Sequence, residues 1–289
     1  MNKRKIVFIT YGDNNFKLQK KHLLTLAKKS GYFDDCFAYG PNELNNIFLN
    51  KYEKIMKNKK GAGFWIWKHQ IIKQEVEKVS DGDIIVYSDA GSSLNLEASK
   101  KFSEYIEILS QSEYSTLRFK NDQIEKYWTS KEIFNYFGIK PESKEGNSQQ
   151  YLAGHIIVKK SKSLRDQLAE VDKLLDEDMY LITDKYSKDQ IEDYKSNRHD
   201  QSILSIISKI YGCEEKENEV WFKQRERMQF EFPFLAVQQG TYTNWQKVKF
   251  YSLYPKHIKS TIYFGDKKYI YQKNSFLDKF IYRFIKKRK

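Results

Sequence analysis

Residues 61–95 read GAGFWIWKHQIIKQEVEKVSDGDIIVYSDAGSSLN: an aromatic-flanked loop, an amphipathic helix, a turn and a buried strand. Ile71, Ile72, Val76 and Val79 recur at helical spacing, and Asp81-Gly82 is the turn that ends the helix. Ile84-Ile85-Val86-Tyr87 is a short, continuous apolar run, the pattern of a strand covered on both faces. That strand stops at Asp89, with Ala90 and Gly91 after it. In a mostly parallel α/β sheet, ligands gather at the carboxyl ends of strands. Asp89 therefore stands where a nucleotide or a metal is held, beside small residues that let a ligand approach the backbone. A turn or a helix cap accounts for the same aspartate.

Upstream and downstream the same alternation continues. Residues 5–10 read as a strand, residues 11–15 as turn chemistry, and Leu18, His22, Leu23, Leu26 and Ala27 as one helical stripe stopped by Gly31. Residues 36–39 form a second strand, closed by Gly40-Pro41-Asn42, and a polar helical stretch spans 44–57. After the opening segment come a helix near 96–109, a strand at 114–119, and a polar, aromatic stretch at 121–150 with a helix near 130–137. YLAGHIIV (151–158) is strand-like, 164–175 is helical, and His199-Asp200-Gln201 opens the apolar helix SILSIISKIYG. Strands alternating with helices, then a looser aromatic end, imply an α/β fold.

The chain has 289 residues with 51 Lys+Arg against 38 Asp+Glu, a formal net charge of +13. Such an excess favours polyanions or anionic lipid, or reflects a lysine-rich composition. The lysines are dispersed and no nucleic-acid-binding motif is present, so nucleic acid is not expected as a partner. Cys36 and Cys213 show no ligand spacing, which disfavours a disulfide framework or a structural zinc site. The N-terminal apolar run, Ile6 to Ile9, is too short for a signal-peptide core, and no stretch of about 18 apolar residues is present to span a bilayer. These features point to a cytoplasmic protein with one main domain, 1–265, and a basic tail, 266–289. Within the tail, Phe276, Leu277, Phe280, Ile281, Phe284 and Ile285 share one helical face beside Lys279, Arg283 and the terminal KKRK. That pattern fits a peripheral, in-plane anchor on an anionic membrane surface, or a helix docked on the core or on a partner.

Several side chains are candidates for chemistry. Lys68, at the start of its helix, suits a phosphate. Trp65 and Trp67 serve either ligand stacking or core packing. The Thr10-Tyr11-Gly12 loop at the end of the first strand could bind a base and ribose through main-chain groups and the Tyr11 ring. Asp200 is either a helix cap or a base for a hydroxyl group, and Gln201 could support a cationic transition state through its amide oxygen. There is no GxGxxG, P-loop, GxSxG or HExxH motif.

GAGFWIWK, the amphipathic helix and GDIIVYSDAG together resemble bacterial glycosyltransferases of the GT-A, nucleotide-diphospho-sugar transferase fold, which act in capsule, O-antigen or lipooligosaccharide assembly. The resemblance continues through YLAGHIIVKKS and RHDQSILSII and covers residues 3–211. It implies a GT-A-like, Rossmann-type mixed sheet flanked by helices with an irregular C-terminal extension. It also implies a sugar-nucleotide donor and a cell-surface glycan or lipid-linked acceptor. By resemblance the donor is bordered by Thr10, Tyr11, Gly12, Trp67, Lys68, Asp89, Ala90, Gly91, Ala153, Gly154, His155 and His199, with Asp200 and Gln201 at the reacting carbon. The Asp-Gln element implies a retaining hexosyltransferase, whereas a bare Asp200 base suits inversion. The family's Asp-x-Asp motif holds Mn²⁺ or Mg²⁺. Here Gly91 replaces its second carboxylate, leaving Asp89 and the more remote His257 as the expected ligands and the metal requirement open. Two alternatives remain: a non-catalytic module that binds sugar nucleotides or a membrane complex, and a basic nucleic-acid-binding protein.

Overall fold

The computed structural model describes residues 4–220 and 232–236, and the backbone of residues 260–264 and 267–271. Strands β1 (Ile6–Tyr11), β2 (Asp35–Tyr39) and β3 (Ile84–Ser88) form the first half of the sheet. After the short β4 (Ser93–Leu94), β5 (Thr116–Ile124), β6 (Gln149–Tyr151), β7 (His155–Lys159) and β8 (Glu214–Lys216) complete it. The order is β2-β1-β3-β7-β5-β6, with β8 also paired to β5. Five longer helices pack on its faces: α1 (Lys17–Ser30), α2 (Trp67–Lys78), α3 (Ser99–Gln111), α4 (Lys162–Glu177) and α5 (Asp200–Tyr211). This is the expected mixed α/β sheet flanked by helices.

The sheet is less parallel than the strand-helix alternation suggests. β2, β1 and β3 run parallel, but β7 inserts between β3 and β5 and runs antiparallel to both. The carboxyl-end rule therefore applies to β1 and β3, while β7 brings its amino end to the same rim. YLAGHIIV is also two strands rather than one. Tyr151 pairs with Lys120 of β5, and Leu152 N–H bonds Phe119 O at 2.8 Å, whereas His155 pairs with Ser88 of β3. Leu152-Ala153-Gly154 crosses between the two pairings.

The central strands are buried on both faces, and their alternating side chains divide the core into two layers. Val7, Ile9, Ile85, Tyr87, Ile156 and Val158 meet the apolar faces of α2, α4 and α5. Phe8, Ile84, Val86, Leu117, Phe119 and Ile157 meet α1 and α3. Each such buried side chain contributes about 1.5–3 kcal/mol relative to exposure. Gly31 closes α1 with φ 71°, the left-handed cap that its lack of a Cβ permits. Leu18 leaves the expected stripe: in the first turn of α1 it is 73% exposed.

The 44–57 stretch breaks into helices Asn46–Lys51 and Glu53–Met56, because Tyr52 departs from helical geometry to bury its ring and bond Asp176 at 3.0 Å. α3 starts at Ser99 rather than near 96, since Asn95 makes a local turn: its Oδ1 accepts from Glu97 N–H and its carbonyl from Tyr32 OH. Farther along the chain, β9 (Phe234–Leu235) pairs with β4, and the Phe234 ring enters the second layer against Tyr105 and Phe119. β10 (Ser260–Phe264) and β11 (Lys267–Tyr271) pair antiparallel, and the two strands lie on either side of the expected 265/266 boundary. The amphipathic segment 275–289 lies outside the described residues. Among those described, no helix is long and apolar enough to cross a membrane.

Candidate active site

The GAGFW segment is no ordinary loop. Gly61 to Trp65 have φ of 57°, 48°, 99°, 54° and 59°, one left-handed turn containing three non-glycine residues. Left-handed geometry costs an L-residue about 1–2 kcal/mol, so packing must hold it. Gly63 N–H bonds Asn58 O at 2.9 Å, Trp67 Nε1 donates to Gly61 O at 2.9 Å, and a Cβ on Gly61 would lie 2.4 Å from the Trp65 ring. This turn launches α2 so that Lys68, its second residue, enters the core at 2% exposure.

Lys68 is the hub of the site. Its Nζ lies 2.6 Å from Asp200 Oδ2, 3.3 Å from Asp89 Oδ1 and 3.0 Å from the Ala153 carbonyl. The Asp200 contact is close in distance but outside hydrogen-bond angles, since that oxygen has no hydrogen-bond partner. Burial pushes the ammonium toward deprotonation, but the Asp200 and Asp89 charges outweigh it and hold the pKa above the usual value. Asp200 itself is pushed up to about 6, chiefly by burial and against the pull of Lys68. Asp89 is the open member, with 41% of its side chain exposed. Tyr87 OH donates to its Oδ1, and a Cβ on Gly154 would lie 3.1 Å from its Oδ2. Asp89 N–H bonds Gly154 O at 2.8 Å, which ties the end of β3 to the crossing before β7.

The structure thus brings Lys68, Asp89, Ala153, Gly154 and Asp200 together. It gives other expected residues different surroundings. Lys68 directs its charge at protein oxygens rather than at open space. The Trp67 ring stacks on Tyr11, centroids 3.8 Å apart, and both are buried, so both rings pack in the core. Thr10 is fully buried, and Gly12 N–H bonds Tyr39 O. Ala90 is buried behind Asp89, while Gly91 is half-buried. Gln201 Oε1 accepts from Ala153 N–H at 3.2 Å and its Nε2 donates to Gln150 at 2.5 Å, so the amide fixes the crossing instead of facing a ligand.

His155 lies on the opposite face of the sheet, bonded to Ser88 at 2.9 Å and Ser92 at 3.3 Å, and burial pushes its pKa down to about 4. His199 has φ 57° and ψ −121°, bonds the Ile182 carbonyl at 2.9 Å and stacks on Trp65. Its strained backbone sets the entry angle of Asp200.

Sequence reasoning missed the support behind Gln201. Gln150 bonds the fully buried Glu125 at 2.7 Å, and Lys209 pairs with Glu125 at 2.8 Å. Arg118, 2% exposed, donates to Ser208 and the Leu152 carbonyl. Lys209, the one charged residue of α5 after Asp200, is the sequence signal of this support.

Among the described residues, no group of three or more His, Cys, Asp or Glu side chains converges as a metal cage. Asp89 offers Oδ2 alone, because Oδ1 is engaged by Tyr87 and Lys68. One carboxylate oxygen suffices only for a cation that also takes oxygens from a substrate phosphate. His257 lies outside the described residues.

No protein-family model matches the chain, and no curated protein matches it at a significant level. Solved structures similar to it include a glycosyltransferase involved in glycosylation of the major capsid of PBCV-1. That likeness is 11% identical over 80% of this chain and 91% of that one, with a TM-score of 0.47. Mouse xyloside xylosyltransferase 1 is 11% identical over 74% and 84%, with a TM-score of 0.39. The galactosyltransferase LgtC, in complex with donor and acceptor sugar analogs, is 11% identical over 78% and 83%, with a TM-score of 0.38. Likenesses at this level assign no activity to the chain.

Proposed function

We propose that the chain is a glycosyltransferase of the GT-A type that moves a sugar from a nucleotide-diphosphate donor to a glycan or lipid-linked acceptor of the cell surface. The observation that carries this reading is the single Lys68 ammonium joining a strand-end carboxylate, a helix-start carboxylate and the Ala153 carbonyl. Three separate sequence motifs thereby become one polar locus at the rim where β1 and β3 end.

In this reading Asp89 receives the donor on its open side, and Gly154 leaves room for the sugar. Asp200 accepts the proton of the attacking hydroxyl. A buried carboxyl with a pKa near 6 is poised for that near neutral pH, where it is largely ionised but still basic enough to take a proton. Lys68 orients Asp200 and holds its anion. Because the Gln201 amide is engaged by Ala153 and Gln150, it acts as a positioning residue, and a lone carboxylate base favours single displacement with inversion. With both aspartates ionised the trio carries a net charge of −1, which opposes a diphosphate. A Mn²⁺ or Mg²⁺ ion between Asp89 and the phosphates would supply the missing positive charge. Peripheral attachment through residues 275–289 accords with a lipid-linked acceptor.

The test is a panel of sugar nucleotides, each with Mn²⁺ or EDTA, read by thermal shift and by release of the nucleoside diphosphate. Stabilisation by one donor class supports the reading; absence of stabilisation by every donor refutes it. The anomeric configuration of the product, read by NMR, decides between inversion and retention.

A further inference from the structure

The buried cations near the site are matched by protein groups, with one exception. Lys68 meets Asp200 and Asp89, and Lys209 meets Glu125. Arg118 has no carboxylate and its Nε too lacks a hydrogen-bond partner, but it is fully enclosed and its terminal nitrogens donate to Ser208 Oγ and to the Leu204 and Leu152 carbonyls. Arg198 is half-buried and therefore reachable. Its guanidinium carbon lies 4.1 Å from the centroid of the Trp128 ring, its Nε is buried without a hydrogen-bond partner, and it forms no ion pair with a described carboxylate. A ring face attracts the cation but offers no lone pair to its N–H edge. Burial pushes the guanidinium pKa down with no acid nearby to offset it, although an arginine stays charged.

The residue is also fixed in place. Arg198 N–H bonds the Trp128 carbonyl at 3.1 Å and Ser202 Oγ at 3.0 Å, and its carbonyl accepts from Gln201 N–H at 3.0 Å. The same Trp128 carbonyl accepts from Gln150, the residue that holds Gln201. Arg198 is therefore linked to the crossing at Ala153 through Gln201, and Trp128 through Gln150 and Gln201, on the β5–β6 side of Asp200. The β1–β2 half, expected to take the nucleotide, lies on the other side of the sheet order.

We propose that Arg198, backed by Trp128, binds an oxyanion carried by the acceptor, a phosphate or a carboxylate, and so selects anionic acceptors. The proposal rests on the transferase reading for the word acceptor, but the anion site stands on its own geometry. An arginine presents a planar fork that matches either group, and a charge-assisted contact of this kind changes affinity by about tenfold or more.

The experiment titrates glucose, glucose 6-phosphate and glucuronic acid into the full chain by calorimetry, with wild type, Arg198→Ala and Arg198→Gln. At least one anionic sugar is expected to bind wild type about tenfold tighter than glucose, and both variants are expected to lose that preference. The phosphate and carboxylate arms tell which oxyanion is selected. Arg198→Gln keeps the packed stem and supplies the answer should the alanine variant fail to fold. Equal affinities for glucose and both anionic sugars, or a preference undiminished in the variants, would overturn the proposal. Sugar-nucleotide binding is measured on the same samples. If no donor binds while Arg198 retains its anion preference, the transferase reading fails and the anion site remains.

Discussion

Replacing Lys68 with methionine tests the central ion cluster, and its cost follows from the titration of Asp200. Asp200 has a folded-state pKa of about 6 against an ordinary 3.8. A carboxyl raised in this way contributes stability that is fully present below the unfolded pKa and is lost as pH rises through the folded one. In wild type that loss ends soon after pH 6, because Lys68, 2.6 Å away and buried, accepts the anion. Without the ammonium, Asp200 stays protonated to higher pH and the decline continues. The difference between wild type and Lys68→Met should therefore grow by about 1.4 kcal/mol per pH unit above pH 6, or about 2.7 kcal/mol by pH 8. The lost hydrogen bond to Ala153 adds about 1 kcal/mol at every pH. The total falls within the 3–5 kcal/mol typical of breaking a buried pair. Asp89 adds little, because its side chain is 41% exposed and water replaces the contact.

Urea unfolding at pH 6 and pH 8 measures this directly, with Lys68→Met/Asp200→Asn as the control. The double variant has no carboxyl at position 200 to titrate, so it should be more stable than Lys68→Met at pH 8 and show no added pH dependence. A Lys68→Met cost that is the same at both pH values, or a double variant as unstable as the single one at pH 8, would refute the coupling.

Asp200→Asn should abolish transfer without weakening donor binding by calorimetry, whereas Asp89→Ala should weaken donor binding about tenfold or more; equal donor affinity in Asp89→Ala contradicts its role. Gly154→Ala places a Cβ 3.1 Å from Asp89 Oδ2, so donor affinity should fall with little change in unfolding midpoint. A midpoint loss with intact donor affinity would make Gly154 a folding residue only. Glu125→Leu leaves the Lys209 ammonium with the Glu145 carbonyl but without its carboxylate and should cost about 3 kcal/mol in urea unfolding. Adding Lys209→Met should recover part of that loss, and no recovery would show that the pair is not coupled.

The alternation of strands and helices through residue 211 is legible because burial on both faces gives β1, β3 and β7 continuous apolar runs, while burial on one face gives α2 and α5 an apolar stripe. Strand direction has no such imprint: β7 reads the same parallel or antiparallel, and only its insertion between β3 and β5 reverses it. The left-handed turn is hidden for a related reason. Gly61 and Gly63 hint at it, but Ala62, Phe64 and Trp65 give no local sign of positive φ, and the rings of the last two pack on the distant His199. Glu125 carries no comparable signal, since apart from Thr129, four residues on, its partners are Gln150 and the distant Ser205 and Lys209 of α5.

Lys68 is the instructive case. It precedes Ile71 by three residues and Ile72 by four, so its position on the buried stripe was written in the helix period itself. A lysine on such a stripe must either deprotonate or find anions inside the protein. Asp89 and Asp200, first read as two independent candidates, are those anions. Because one ammonium serves both, a perturbation at either aspartate changes the field at the other, and the donor side and the acceptor side of the proposed reaction share one electrostatic element. A donor that draws Lys68 toward its phosphates would loosen the hold on Asp200 and raise its basicity at the moment a hydroxyl needs a base. The pH dependence of transfer at saturating donor should then be displaced upward from the titration of Asp200 in the free protein near pH 6. Coincidence of the two profiles would show that Lys68 keeps its grip on Asp200 throughout.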